Sequence, residues 1–309
     1  MPPSGPSSTI PNDARGAAIA LGNFDGVHAG HQAVIESARA VAHAREVALG
    51  VAVFEPHPRR FFKPDSAPFR LQSPKQRARV LSQLGVEEVF EIGFDAGIAG
   101  STDREFAERV LRDLIGITHV SVGADFQFGK GRCGNAASLA KLGEELGFSV
   151  DAVQPVGGAQ KVSSSAIRDA LARGDMGEAT ELLTRPWAIE GEVLQGFQRG
   201  RTLGFPTANV SLGDYVRPKL GVYAVRVDVG DDSLLPGVAS VGVNPTVGAL
   251  PEPLLEAHLF DFSGDLYGKT IEVELIAFLR EEARFDSLGE LKRQMTQDVI
   301  DARRALIGA

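Results

Sequence analysis

The chain has 309 residues, a net charge of −8 and a pI of about 5.4. This length predicts two domains, because one domain typically holds about 100 to 200 residues. The acidic balance argues against a nucleic-acid-binding protein, and no apolar run reaches the roughly 18 residues that span a bilayer. The one cysteine, Cys133, cannot form an internal disulfide and is interpreted as a bystander thiol. We therefore expect a cytoplasmic protein with no nucleic-acid, membrane or obligatory protein partner.

The N-terminal part of the chain predicts a disordered tail followed by an α/β domain. Residues 1–16 begin with a Pro- and Ser-rich stretch that lacks the basic start and apolar core of a signal peptide. Predicted strands lie at 17–21, 47–54, 86–92, 119–123 and 148–153. Predicted helices lie at 30–44, 74–84, 102–114, 136–146, 165–172 and 175–183. Strands that alternate with helices in this way indicate a mostly parallel sheet with crossover helices.

The pattern changes after Pro186 to short β runs broken by Gly and Pro. These runs lie at 187–194, 221–229, 238–243, 254–262 and 270–279. Many short strands with turn signals between them indicate a barrel or a sandwich. A capping box at Ser287 to Glu290 predicts a last helix that ends near residue 306. The predicted domains are therefore 17–186 and 187–309.

The first candidate site follows the first predicted strand, where residues 22–31 read GNFDGVHAGH. Ligands of open α/β sheets bind at the carboxyl ends of strands, beside helix N-termini that carry free N–H groups. His28 and His31 are three residues apart and share one helix face, where they can donate hydrogen bonds to a phosphate. A metal site is the less favoured alternative, because no third or fourth ligand lies nearby. Ordinary surface histidines are also disfavoured, since Gly26 and Gly30 frame the pair in a turn.

A second element, Ser163 to Arg168, opens a predicted helix with three hydroxyls followed by an arginine. Hydroxyls at a helix N-cap and an arginine one turn later suit a phosphate. A plain N-cap with a surface arginine explains the same residues equally well when they are considered alone. Together with the histidine motif, the pattern favours phosphate binding.

The second candidate site lies in the C-terminal half, where residues 200–209 read GRTLGFPTAN. A Gly-rich loop permits backbone contacts to phosphate, and the oxygens of Thr207 and Asn209 suit Mg²⁺. Glu256 and His258 lie two apart in a predicted strand and point the same way, so Glu256 could act as a general base. An ordinary β-turn without a functional role would explain Gly204 and Pro206 but not the whole run 200–209. A strand glutamate considered alone usually lies on a solvated face.

The first motif resembles the H-x-G-H nucleotidylyltransferase superfamily, and its GNFDGVH form resembles the FMN adenylyltransferase module of bacterial FAD synthetases. Segments 54–59, 122–129 and 162–168 fit the same module. The resemblance implies a Rossmann-like domain with a parallel sheet, in which FMN attacks ATP and pyrophosphate leaves. The family usually has Thr at Ser165 and a larger residue at Ala29. The residues implied to bind ATP or its phosphates are Gly22, Asn23, Phe24, Asp25, His28, Gly30, His31, Asp125, Ser163, Ser164, Ser165 and Arg168. The catalytic residues implied among them are His28, His31 and Arg168. The residues implied to contact the flavin are Phe54, Pro56, Phe62 and Phe128, and core packing is the alternative for Phe62.

The second half resembles the riboflavin kinase family in segments 206–209, 221–223, 244–246, 256–262, 266–268 and 278–280. The resemblance implies a Greek-key β-barrel with a terminal helix. It also implies that Glu256 activates the ribityl 5′-hydroxyl, that Thr207 and Asn209 bind Mg²⁺ and phosphate, and that Arg201 and Gly204 bind ATP. Phe197 and Gln198 depart from the polar residues usual there, which bears on ATP affinity.

Together the two resemblances cover residues 17–306 and imply a bifunctional enzyme. It would use ATP and Mg²⁺ to phosphorylate riboflavin to FMN and to adenylylate FMN to FAD. A nucleotidylyltransferase for another acceptor fits the H-x-G-H motif alone, but the kinase-like half disfavours it. A non-enzymatic flavin-binding regulator is disfavoured because His28, His31, Thr207, Asn209 and Glu256 are all present. A chain with only one active module also remains an alternative.

Overall fold

The computed structural model describes residues 15–157, 162–195, 204–230, 233–243 and 253–307. The chain divides into two compact units, one formed by Met1–Ser66 with Pro74–Val162 and the other by Ala67–Ser73 with Ser163–Ala309. Most of the predicted tail, residues 1–14, lies outside the described residues. Arg15 and Gly16 form a turn in which the Gly16 N–H donates to the Gly116 carbonyl at 2.8 Å.

The first unit is built on a five-stranded parallel sheet, as predicted. Its strands are β1 (Ala18–Leu21), β2 (Leu49–Glu55), β3 (Glu88–Gly93), β4 (His119–Gly123) and β7 (Ser149–Val153). They lie in the order β3-β2-β1-β4-β7, and every neighbouring pair is parallel. Two further strands, β5 (Gln127–Phe128) and β6 (Gly134–Asn135), form a separate antiparallel pair.

Both faces of this sheet are buried, which explains why β1 is apolar throughout. Ala18 and Ala20 pack into one core cluster, whereas Ile19 and Leu21 pack into another. A strand covered on both faces cannot show the alternation of apolar and polar residues typical of a half-exposed strand.

The helices of the first unit include two that the sequence pattern did not predict. The helices are α1 (Ala29–Arg45), α2 (Pro58–Phe62), α3 (Pro74–Gln83), α4 (Ala96–Gly100), α5 (Asp103–Phe106) and α6 (Ala136–Leu146), and α5 runs on as a π-helical segment, Ala107–Ile115. Helices α2 and α4 have five residues each, too few to show a 3.6-residue period. The predicted capping box is confirmed, because the Glu105 N–H donates to Thr102 Oγ1 at 3.2 Å and the Thr102 N–H donates to the Glu105 carboxylate at 2.9 Å.

The second unit contains a closed antiparallel barrel. Its strands are β8 (Trp187–Leu194), β9 (Ala208–Ser211), β10 (Gly221–Asp228), β11 (Leu234–Val243), β12 (Pro253–Leu259) and β13 (Thr270–Arg280). The strand order is β10-β11-β12-β9-β8-β13. Three consecutive strands, β10 to β12, are neighbours, while β9 lies beside β12 and β13 beside β10, which is the predicted Greek-key arrangement. The predicted strand at 254–262 ends early, at Leu259, and Asp261 beyond it has a left-handed φ of 55°.

Three helices accompany the barrel, α7 (Ser164–Arg173), α8 (Met176–Leu183) and α9 (Leu288–Ile307). Helices α7 and α8 belong to the barrel-containing unit, although they precede the predicted domain limit at Pro186. The predicted division into functional domains at residue 186 stays a prediction. The terminal helix α9 packs on the barrel through Ala302, which meets Ala224 and Phe260. Within the part of the chain that the structure describes, every helix is too short or too polar to cross a membrane.

A short segment of the N-terminal half, Ala67–Ser73, also belongs to the second unit. The backbone N–H groups of Phe69 and Arg70 donate to the Asp214 carbonyl at 3.1 and 3.0 Å. The indole N–H of Trp187, a side chain that is 2% exposed, donates to the Leu71 carbonyl at 2.7 Å. A buried indole needs such a partner, so this segment completes the hydrogen bonding of the barrel core.

Candidate active sites

The first candidate site lies at the centre of the parallel sheet, where the loop after β1 leads into α1. Strand β1 has β2 on one side and β4 on the other, so the chain leaves β1 and β4 in opposite directions. Ligands of such sheets bind at this switch point, beyond the carboxyl ends of the strands. The loop after β4 carries Asp125, which is exposed at the same edge. The structure thus brings together the predicted residues 22–31 and the loop of Asp125.

The two histidines form a stacked pair at the N-terminus of α1. His28 is the N-cap residue, and its Nδ1 accepts a hydrogen bond from the His31 backbone N–H at 3.2 Å. The rings lie 3.6 Å apart between centroids and 14° from parallel. Because Nδ1 is an acceptor, the proton of the neutral His28 imidazole lies on Nε2, which makes Nε2 the donor atom of the ring. The predicted shared helix face is therefore confirmed.

Gly30 is the residue that permits this stacking. A Cβ at position 30 would lie 3.2 Å from two ring atoms of His28 and 3.5 Å from the Val162 carbonyl oxygen. Any larger residue would therefore press on the His28 ring. The structure therefore gives a steric reason for a glycine at position 30, which the sequence alone did not reveal.

The preceding loop has a backbone that side-chain-bearing residues rarely adopt. Phe24 and Val27 have φ values of 49° and 39°. For a β-branched residue such as Val27 this is a genuine outlier, and each such residue costs about 1 to 3 kcal/mol that the surrounding packing must offset. Strain of this kind concentrates at functional sites. The Phe24 ring is 1% exposed and packs in the core, so its predicted contact with ATP would involve its backbone.

Two polar groups of the loop are turned away from bulk water. Asp25 is 5% exposed. The side-chain oxygen of Asn23 is buried and accepts no hydrogen bond from the described residues. A buried acceptor of this kind is costly unless a ligand or water donates to it. The loop therefore offers Asn23 Oδ1 as an acceptor next to the donors of the helix N-terminus.

A chain of phenylalanine rings lies at the carboxyl ends of β2 and β3. Phe62 is 63% exposed and Phe61 is 37% exposed, and both rings meet Phe94 edge to face at 5.7 and 5.4 Å. Phe94 also contacts Phe54 at 5.6 Å, and the series continues through Phe106 to Phe128 at 5.9 and 5.5 Å. Core packing does not account for Phe62, since its ring lies largely in solvent. Phe54 and Phe128 are each 7% exposed, so of the predicted flavin-contacting rings only Phe62 presents most of its surface.

Sequence reasoning missed Phe61 and Phe94 in this series, although the adjacent Phe61 and Phe62 were a visible signal. It also missed Arg77 on α3, whose guanidinium lies 3.2 Å from the Glu55 carboxylate and 3.4 Å from that of Glu91. Arg77 thereby ties α3 to the carboxyl end of β2. Glu55 directly precedes Pro56, a predicted flavin contact, and the peptide bond between them is cis.

The predicted serine and arginine element lies in the barrel-containing unit. Ser163 is the N-cap of α7, and its hydroxyl accepts from the Ala166 N–H at 3.2 Å. Arg168 donates through Nε to the Phe69 carbonyl at 2.7 Å. The N-cap is confirmed. A role in nucleotide binding for Ser163, Ser164, Ser165 and Arg168 stays a prediction.

The second candidate site lies on the outer face of the barrel. Residues 255, 257 and 259 of β12 are buried, so Glu256 and His258 alternate with them on the outside, as predicted. Glu256 lies opposite Asn209 of β9 and opposite Ser240 of β11. Directly opposed residues share a face and bring their Cβ atoms to about 5 Å. The barrel thus places Asn209 beside Glu256, and Thr207 directly precedes the first residue of β9, Ala208.

Other predicted residues of this site fall outside the described part of the chain. They are Arg201, Phe197, Gln198 and segment 244–246. Gly204 is exposed and has a φ of 86°, a conformation that favours glycine. Two of the segments that resemble the riboflavin kinase family, 221–223 and 278–280, pack against each other in the barrel. A Cβ on Gly221 would lie 2.3 Å from the Arg280 carbonyl oxygen, and the fully buried Tyr223 ring contacts Phe278 at 5.2 Å.

Two family models match the chain, one over each half. The model described as FAD synthetase covers residues 10–166, which include the stacked histidine pair. The model described as riboflavin kinase covers residues 183–306, which include Asn209 and Glu256.

Several curated relatives match over nearly the whole length of this chain. The bifunctional riboflavin kinase/FMN adenylyltransferase of Escherichia coli strain K12 is 42% identical over 289 residues, which are 93% of this chain and 92% of the relative. A protein of the same name from Pseudomonas fluorescens is 44% identical over 290 residues, covering 94% of this chain and 93% of the relative. One from Bacillus subtilis strain 168 is 36% identical over 304 residues, covering 97% and 95%.

A solved structure shares the fold of both units. It is described as a macrolide-efflux protein from Streptococcus pneumoniae, and it matches with a TM-score of 0.83 and 32% identity over 94% of each chain. The efflux in that description refers to that protein. Since both family models and relatives of at least 36% identity cover both halves, this chain belongs to the bifunctional riboflavin kinase/FMN adenylyltransferase family.

Proposed function

We propose that this chain makes flavin cofactors in two steps, phosphorylating riboflavin to FMN in the barrel and adenylylating FMN to FAD in the parallel-sheet unit. One observation carries the proposal: a single chain holds two chemically different sites, a stacked histidine pair at a helix N-terminus and a carboxylate beside an amide on a barrel face. The product of the second site is the substrate of the first. Both reactions consume ATP, which supports the cytoplasm as their location.

In the adenylylation step, an FMN phosphate oxygen attacks the α-phosphorus of ATP, a new P–O–P bond forms, and pyrophosphate leaves. No protein nucleophile is required, so catalysis consists of positioning and charge stabilisation. The Nε2–H of His28, the imidazole of His31 and the partial positive charge at the start of α1 all oppose the negative charge that grows on the phosphate oxygens. The hydrogen bond from the His31 N–H to His28 Nδ1 keeps the Nε2 proton in place for that task.

The exposed Phe61 and Phe62 support the flavin part of the proposal. An isoalloxazine ring is planar and aromatic, and it stacks on such side chains with a gain of about 0.5 to 1.5 kcal/mol beyond area burial. We propose Phe62 as the principal stacking surface, with Phe94 behind it holding its orientation.

In the kinase step, Glu256 accepts the proton of the ribityl 5′-hydroxyl while that oxygen attacks the γ-phosphorus of ATP, and ADP leaves. A positioned general base of this kind contributes about 10² to 10⁴ in rate. Asn209 lies opposite Glu256 in the β-ladder, and we propose that its side chain and that of Thr207, two residues earlier, offer neutral oxygens to the phosphates.

The donor set of the barrel face fits Mg²⁺. Among the described residues, no group of three or more His, Cys, Asp or Glu side chains could hold a metal on its own. Mg²⁺ in nucleotide sites needs only one or two protein ligands, because phosphates and waters supply the others. The oxygens of Thr207 and Asn209 would hold the ion, which when bound neutralises charge on the triphosphate.

The first experiment is incubation of the purified protein with riboflavin, ATP and Mg²⁺, followed by chromatography of the flavins over time. We expect FMN first and FAD later. FMN alone would restrict function to the barrel, and FAD from added FMN with unchanged riboflavin would restrict it to the parallel-sheet unit. No reaction of either flavin would refute the proposal.

Substitutions separate the two sites. Replacing His28 and His31 together by alanine should lower FAD formation from FMN by at least about 100-fold and leave FMN formation intact, whereas Glu256→Ala should do the reverse. His43→Ala, an exposed histidine on the same helix, and Glu192→Gln, an exposed glutamate on β8, are matched controls that should leave both activities unchanged. Loss of both products in either site variant, with the fold intact, would contradict the two-site model.

A further inference from the structure

His258 has a role in the barrel site that its position in the strand alone does not reveal. It lies two residues after Glu256 on the same outer face of β12 and is partly buried. Its Nδ1 lies 2.9 Å from the carbonyl oxygen of Pro206. A carbonyl oxygen only accepts, so the imidazole nitrogen carries the proton and donates. This bond fixes the tautomer of His258 with its proton on Nδ1.

The imidazole contacts the segment that carries Thr207 at two points. Besides the bond to Pro206, the ring meets the Phe205 ring edge to face at 5.3 Å. The imidazole also contacts the Phe260 ring at 6.0 Å, and that ring is in turn covered by the Arg303 guanidinium at 4.5 Å. His258 is therefore packed against Phe260 and contacts the segment of Phe205 and Pro206.

The hydrogen bond acts directly on the peptide unit that precedes Thr207. The Pro206 carbonyl and the Thr207 N–H belong to one rigid plane, so fixing the carbonyl oxygen also fixes the direction in which the chain enters β9. Proline has no N–H of its own with which to anchor this stretch. From Thr207 the chain continues to Asn209, which the β-ladder places opposite Glu256.

We propose that His258 is a positioning residue of the riboflavin kinase reaction, which holds Thr207 in register with Asn209 and Glu256 through the Pro206 carbonyl. The inference rests on the proposed function of the barrel site. His258 touches neither substrate nor phosphate in this role. Its loss should therefore affect the nucleotide side of the reaction, where Thr207 acts, more than the riboflavin side.

Two substitutions distinguish the hydrogen bond from mere packing. His258→Phe keeps an aromatic ring between Phe205 and Phe260 but removes the donor. His258→Asn loses the ring but places an amide N–H close to the position of Nδ1. The kinase is assayed with varied Mg·ATP and varied riboflavin, and FAD formation from added FMN in the same preparations reports on an intact first unit.

We expect His258→Phe to lower kcat/KM for Mg·ATP by about 10- to 100-fold, with KM for riboflavin changed less than about twofold. His258→Asn should recover most of this loss, and FAD formation from FMN should be unchanged in both variants. Hydrogen–deuterium exchange of a peptide spanning residues 204–211 supplies a readout besides activity, and it should become about 10-fold faster in His258→Phe and return toward the wild-type rate in His258→Asn.

Three results would overturn the inference. They are kinase constants of His258→Phe within about threefold of wild type, equal impairment of the Asn and Phe variants, and a parallel rise of KM for riboflavin and Mg·ATP. Faster exchange with unchanged kinase constants would remove the catalytic role and leave only a structural contact. Failure of the proposed function itself would appear differently, as a wild-type protein that forms no FMN.

Discussion

The buried cation Arg77 gives the sharpest test of what stabilises the carboxyl ends of β2 and β3 in the first unit. Its side chain is 4% exposed, and it lies against Glu55 and Glu91, whose side chains are 25% and 55% exposed. Substitution of Arg77 by methionine keeps most of the aliphatic volume and removes the charge and its hydrogen bonds. Both carboxylates then lose their cation at the carboxyl ends of β2 and β3.

The size of the effect follows from the exposure of the partners. Removing one member of a fully buried ion pair costs about 3 to 5 kcal/mol. Water can solvate the half-exposed Glu91 and reaches part of Glu55, so we expect about 2 to 3 kcal/mol for Arg77→Met. This corresponds to a factor of about 30 to 160 in the local opening equilibrium.

Native-state hydrogen exchange measures this opening where it occurs. Peptides covering residues 49–55 and 88–93 should exchange faster by that factor, while a peptide covering 221–228 in the barrel should not change. Arg109→Met is the matched control, since its side chain is 67% exposed at 3.7 Å from Glu105 and should cost less than about 0.5 kcal/mol. A cost below about 1 kcal/mol for Arg77→Met, or one equal to that of the control, would show that the ion pairs of Arg77 do not stabilise this part of the sheet.

Two further predictions concern pH and the terminal helix. Burial lowers the pKa of His119, whose ring nitrogens lie 2.8 and 2.9 Å from the hydroxyls of Ser149 and Ser121. Near pH 6.5 this histidine binds a proton in the unfolded chain but stays neutral in the folded chain. The free energy of unfolding of the first unit should therefore fall as the pH drops below 6.5, by at most about 1.4 kcal/mol per pH unit from this group. His119→Gln should flatten this dependence, measured by urea unfolding at several pH values. An unchanged slope would contradict this account. Asp298→Ala removes the acceptor of two Arg280 hydrogen bonds at 2.7 and 2.6 Å that tie α9 to β13, and it should cost about 2 to 4 kcal/mol in urea unfolding followed by Trp187 fluorescence. Asp301→Ala removes exposed contacts, to the Arg304 guanidinium at 3.5 Å and from the Gln297 amide at 3.1 Å, and it should cost less than about 0.5 kcal/mol. Equal losses in the two variants would contradict the prediction.

The features of this protein that could be predicted from its sequence are local ones. The longer strands and helices of the first unit, the capping box at Thr102 and the histidine pair on α1 all depend on residues close together in the chain, and their periodicity or hydrogen bonding can be recognised without knowledge of the fold. The change to short strands after Pro186 likewise predicted the β-barrel that the structure shows. The five-residue α2 and α4 were missed because they are too short to show a helical period, and β9 was missed because its first residues lie in a run that was interpreted as a Gly-rich loop.

Contacts between residues far apart in the chain became known only from the folded structure. The pairing of β9 with β12 sets Asn209 opposite Glu256, and the fold of the barrel face brings His258 to the Pro206 carbonyl. The steric need for Gly30 appears only once the two imidazole rings are stacked. Such relations depend on strand order and register, which arise from packing across the whole unit, and no spacing along the chain encodes them.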